Sequence, residues 1–78
     1  METRETYGRL KYNTEQDRYG VIVDGEWWIE GLHCGMCFDA LIGSTWTPTR
    51  IEYAADWYLV EVGISGDDLQ GLAVRFKD

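Results

Sequence analysis

One histidine, two cysteines and seven basic residues are all that this chain of 78 has of each, and each scarcity closes off a class of function. The lone histidine, His33, has no serine elbow or acid partner near it in sequence, so a hydrolytic triad finds no support. Two cysteines supply only half of the four ligands that structural zinc requires. No apolar stretch approaches the roughly 18–20 residues that span a bilayer. Seven bases stand against fourteen acids, a formal charge of −7, whereas phosphate-binding domains normally show a basic excess. There are no internal repeats and no low-complexity tracts.

What is abundant is glycine, nine residues of it, and the glycines divide the chain into short runs rich in aromatic and β-branched residues. These are Tyr7–Asn13, Arg18–Val23, Trp27–Glu30, Phe38–Ile42, Thr47–Tyr53, Trp57–Val62 and Leu72–Lys77. Each is too short for an ordinary helix and alternates as a half-buried strand does. Residues 1–78 make one domain, since a chain this short has no room for a second core. A series of short strands must curl to bury one face, so the expected fold is all-β: a small antiparallel SH3-like barrel of five to seven strands, with at most one helical turn, at Asp67–Gln70. Four Trp, five Tyr and two Phe compensate for the small core, because each ring hides a large apolar area at little rotamer entropy.

Alternation assigns the faces. Leu10 and Tyr12 face inward, with Arg9 and Lys11 outside; Tyr19, Val21 and Val23 share one face, and Asp24-Gly25 supplies a hairpin turn. Trp27 and Ile29 are expected inward, with Trp28 outward beside Glu30. Phe38, Ala40 and Ile42 oppose Asp39, and Thr49, Ile51 and Tyr53 oppose Arg50 and Glu52. Pro48 suits a strand start or a sheet edge. Leu72, Val74 and Phe76 close the barrel, with Ala73, Arg75 and Lys77 outside. Met1–Thr6 reads as a charged lead-in without the pattern of a signal peptide, which leads to the expectation of a cytoplasmic protein with reduced thiols.

His33-Cys34-Gly35-Met36-Cys37 bends two thiolates toward one point, and His33, Cys34 and Cys37 are the ligands a metal would have to use. A fourth donor is wanting, and thioredoxin-like chemistry needs a βαβ context that is absent. The expectation is therefore two buried cysteines in a glycine turn, with no metal and no cofactor; a metal-stabilised adaptor is the alternative. No enzyme is expected. Charge is unevenly spread: Arg4, Arg9, Lys11 and Arg18 open the chain, Arg75 and Lys77 close it, and between Arg18 and Arg75 the only base is Arg50.

From Leu32 onward the sequence carries Leu32-His33-Cys34-Gly35 with Phe38-Asp39-Ala40-Leu41, then Trp46-Thr47-Pro48-Thr49-Arg50-Ile51-Glu52-Tyr53, then Trp57-Tyr58-Leu59-Val60. In these pieces it resembles a family of small uncharacterised proteins found in Gram-positive bacteria, their phages and their mobile elements. The resemblance implies a context, the accessory genes of mobile DNA, and assigns no site residues.

The charge and the exposed aromatics together favour a non-enzymatic acidic module that docks on a basic protein, such as a nucleic-acid-binding host defence protein that it inhibits in the manner of an anti-CRISPR. The expected contacts are Glu26, Trp28, Glu30, Glu52, Asp56, Trp57 and Glu61, with carboxylates standing in for phosphates. Direct binding to nucleic acid and to membranes is not expected. A nucleic-acid-binding accessory protein using the terminal basic strands is the other reading.

Overall fold

In the computed structural model, which describes residues 4–77, the strands run β1 (Glu5–Asn13), β2 (Arg18–Val23), β3 (Glu26–Ile29), β4 (Cys37–Ile42), β5 (Thr45–Tyr53), β6 (Trp57–Leu59) and β7 (Ala73–Lys77), with one 3₁₀ turn at Gly66–Leu69 before β7. The charged lead-in shrinks accordingly, because Glu5 and Thr6 already belong to β1; Met1–Thr3 lie outside the described residues. The strand expected over Trp57–Val62 stops at Leu59, where the chain turns and Glu61 takes a φ of 68°.

All pairings are antiparallel and the order is β3-β2-β1-β7-β4-β5-β6. The expected closure into a barrel does not occur: β3 and β6 end the sheet without pairing with each other, the outer side of β6 meeting only an isolated bridge from Tyr58 to Ser65, and the described residues extend over 40 × 27 × 20 Å. The edge strands are too short to meet, four and three residues long. The gap between them is filled by chain instead of by hydrogen-bonded strands. The β3–β4 connection crosses it, with the Leu32 amide donating to the Tyr19 carbonyl (2.8 Å) and the Gly35 amide to that of Ile51 (2.8 Å). Leu32 fills the mouth from one side and Leu69 of the 3₁₀ turn from the other, both fully buried.

The last strand, expected to close the structure, instead lies at its centre between β1 and β4. The inward set follows the alternation: Leu10, Tyr19, Val21, Phe38, Ala40, Ile51, Leu59 and Val74 form one buried cluster. Asp24 and Gly25 take φ of 53° and 81°, the left-handed pair of a two-residue hairpin turn, as the dipeptide predicts. Pro48 falls within β5, where β6 does not reach, so its outer side is a free edge.

One register differs from the alternation. Val21 pairs with Ile29 but Ile22 pairs with Trp27, so Trp28 is an extra residue, a bulge. Trp27 is thereby carried to the outer face, where Lys11 lies 5.7 Å over its ring, while Trp28 packs edge-on against Phe76 at the rim of the core. Trp27 is thus not inward, as alternation alone predicts. Gly20 makes room for this edge: a methyl there would stand 2.8 Å from Trp27 Cζ3 and the Glu30 carbonyl oxygen, and would run into that of Ile29. Gly20→Ala is expected to destabilise the fold by about 1–3 kcal/mol through overpacking. Urea unfolding checks this, and an unchanged midpoint would mean that β3 does not rest on Gly20.

Candidate functional site

The seven acidic and aromatic residues singled out as contacts do not assemble into one surface. Glu26 and Trp28 lie on β3 with Glu30 just beyond it, at one edge of the sheet, and Glu52, Asp56 and Trp57 belong to the β5–β6 edge. Glu52 is engaged by Arg50 (2.9 Å), and Glu61 lines a separate depression with Cys37 and Arg50. Trp57 is no exposed anchor: at 8% exposure it is part of the core, because β6 turns it inward and Tyr53 covers it edge-on at 4.8 Å.

Two of the seven, Asp56 and Trp57, do meet at a cleft of about 890 Å³. Its walls are the rings of Tyr12, Tyr19, Tyr53 and Trp57, and its rim carries Asp17, Asp56 and Asp67. The curl of the sheet builds it, bringing the β1–β2 hairpin against β6 and the 3₁₀ turn. Tyr12 and Tyr19 are cross-strand partners whose rings meet edge-to-face at 5.3 Å. The Tyr19 hydroxyl donates to the Gly66 carbonyl (2.9 Å), which pins the 3₁₀ turn to β2. Asp56 Oδ1 accepts the Trp57 amide (2.9 Å). Arg18, on the same rim, lies with its guanidinium 5.9 Å over Trp57 and reaches the Leu32 carbonyl (3.4 Å).

The acids leave their mark on the phenols. Tyr12 donates to Asp17, and that bond, with a smaller part from burial, holds its pKa up at about 12 from an ordinary 10.0. Burial raises that of Tyr19, helped by Asp67, Asp56 and Asp68. Both groups keep their protons more firmly folded than unfolded. Their contribution to stability is therefore complete below pH 10 and is lost as pH rises through the folded values. In a phenolate absorbance titration, Asp17→Asn is expected to move one tyrosine to lower pH; an unaltered curve would mean the Tyr12–Asp17 bond is not made.

Sequence reasoning missed most of this cleft. Tyr12 and Tyr19 read as ordinary inward strand residues and Asp17 carries no local mark; of the lining residues, Asp56 and Trp57 stand among the expected contacts and Cys34 only as a candidate metal ligand. The signal available was the coincidence of two inward tyrosines with a nearby acid on each flanking turn.

The two thiols depart from expectation in another way, since both are free and exposed, not buried. The connection's inward positions are taken by Leu32 and, in part, Met36. Cys34 lines the aromatic cleft and Cys37 the depression beside Arg50. His33 is exposed and lies 3.4 Å from Arg18. Among the described residues no three His, Cys, Asp or Glu side chains are grouped as a metal site would require, and no helix is long and apolar enough to cross a membrane.

An open antiparallel sheet with a cleft at one end defines a small all-β domain. The chain belongs to the family described as domain of unknown function DUF5348, whose model matches residues 8–76. It is similar to a protein from the Gram-positive bacterium Ruminococcus gnavus, whose crystal structure was determined in a structural genomics programme; identity is 46% over 94% of this chain and all of the other, with a TM-score of 0.77. No curated protein matches the chain.

Proposed function

We propose that this domain is a non-enzymatic binding module that docks on a basic protein partner through the aromatic cleft. The observation that supports this reading is the joining of four rings with three carboxylates around about 890 Å³ of open space. Rings attract cations through their negative faces, and carboxylates add charge-assisted hydrogen bonds. The chain already uses the wall in this way, since its own Arg18 rests over Trp57. A lysine or arginine side chain of a partner fits the same chemistry.

In its finer form the reading is an inhibitor carried by a phage or mobile element, acting on a host defence protein whose nucleic-acid channel is basic. Eight acids stand in the turns: Glu15, Asp17, Asp24, Glu30, Asp56, Glu61, Asp67 and Asp68. Such turn carboxylates can occupy phosphate positions in a channel of that kind. The cleft, with Asp56 and the exposed Tyr53 that covers Trp57, takes the central role in contact, and Glu26, Trp28 and Glu30 on the far edge a peripheral one.

The test is a titration of the folded domain with an arginine-rich peptide and a glutamate-rich peptide of equal length, read by tryptophan fluorescence. Saturable quenching by the first that weakens with salt, and none by the second, is the expected result. Equal responses, or none to either, would reject the reading.

A further inference from the structure

The cleft is not the only functional surface that the fold creates. The sheet has a second face, turned away from the core, and its composition is the reverse of the chain's. Because β1 and β7 pair directly, with Tyr7 opposite Arg75 and Arg9 opposite Ala73, the two basic ends of the sequence come together. Residues directly opposite in a pleated sheet share a face. The registers therefore place Arg9, Lys11, Arg75, Lys77 and Arg50 on this face, with Glu5, Asp39 and Glu52 the acids among them. Five bases against three acids is a local balance of +2 in a chain of −7.

Rings are interleaved with these cations. Trp27 lies under Lys11, and Tyr7 meets Trp46 edge-on at 5.6 Å with the Arg75 guanidinium 4.8 Å above Trp46. Tyr7 is 51% exposed and Trp27 38%. Arg75 is held in place by Asp39 (2.7 Å), with Glu5 at 3.6 Å, so it serves as a fixed platform. Three shallow depressions cross the face: one beside Trp27 and Lys11, one between Tyr7, Arg9 and Trp46, and one beneath Arg50, Arg75 and Lys77. Five acids border them: Asp39, on β4 and paired with Arg75, and Glu15, Asp24, Glu30 and Glu61, which belong to the turns at the rim.

We infer that this face binds single-stranded nucleic acid, with bases stacked on Trp27 and on the Tyr7–Trp46 pair and phosphates met by Arg9, Lys11 and Lys77. Aromatic platforms set among cations are what sequence-tolerant single-strand binding uses. A backbone route of about 10 Å, two strand spacings, separates the β3 ring from the β1 ring, within reach of a short extended strand. A duplex keeps its bases paired and stacked inside, out of reach of these rings, and its second strand would carry phosphates toward the acidic turns, so the surface selects one strand over two. The total charge argues for repulsion, but phosphates at contact distance feel the local charges most, because the remainder are screened over about 8–10 Å of electrolyte. This inference does not depend on the cleft.

The experiment is a fluorescence-anisotropy titration with a labelled oligothymidine of about 10 nucleotides, within the usual site sizes of such folds, and with a duplex of matched length. The single strand is expected to bind at least about tenfold more tightly, with a salt slope near −2 if about three phosphates are met. Trp27→Ala should weaken binding about 5- to 150-fold, the span of a lost stacked base, and Lys11→Gln should flatten the slope by about 0.7. Tyr53→Ala, in the cleft, should leave it unchanged. The inference is overturned by the absence of saturable binding at about 50 mM salt, a low-salt regime that favours phosphate contacts. Equal affinity for duplex, or indifference to both substitutions, would overturn it as well.

Discussion

Leu32→Ala is expected to cost the domain about 3 kcal/mol, within the usual span for emptying a buried leucine site. The residue lies in a connection without regular structure, yet it is fully buried, and its backbone is bonded to Tyr19 on one side and to Arg18 on the other. It takes the place that a strand pairing would have in a closed barrel, so its truncation opens a cavity in the core cluster. A domain of this size has little stability in reserve, and the loss should lower the thermal midpoint by about 12–24 °C. Circular dichroism melting measures it. A drop below about 1 kcal/mol would show that the connection only lies over the core and does not complete it. His33→Ala, one residue along and exposed, is the control and should be near neutral.

The strands were legible because period-two alternation survives in a single sequence wherever one face is buried. Leu10, Val21, Ala40, Ile51 and Val74 all face the core as alternation requires. Alternation is silent about an inserted residue, so the bulge at Trp28 and the resulting exchange of faces at Trp27 were not legible. Closure was misread for a different reason. The number and length of the strands suit a barrel, but whether the edges join depends on how far the short β3 and β6 reach, which is a tertiary matter. Leu32 and Leu69 stand in segments without alternation, so nothing local marks them as core. The distribution of charge was legible in principle. Six of the seven bases lie on strands and eight of the fourteen acids in turns, but reading charge by position along the chain, instead of by strand and turn, hid the basic face.

Lysine at positions 67 and 68 together is expected to lower the affinity of the cleft for an arginine-rich peptide at least tenfold, almost entirely through the on-rate. Both aspartates are exposed, both stand in the first turn of the 3₁₀ segment, and Asp67 lines the cleft. Their reversal changes the rim by four charge units while Leu69, which anchors that segment, is untouched. Charges at a rim steer encounter and set its salt dependence more than they hold the complex. Tyr53→Ala should act in the opposite manner. Its ring is 58% exposed and stands edge-on to Trp57, so its removal takes away contact area that is desolvated only in the complex. The off-rate should rise about tenfold while the on-rate holds. Stopped-flow fluorescence separates the two. Near-UV circular dichroism checks that both variants are folded. If the double reversal leaves the on-rate unchanged at low salt, the acids of the 3₁₀ turn serve solubility alone, and docking through the cleft is rejected.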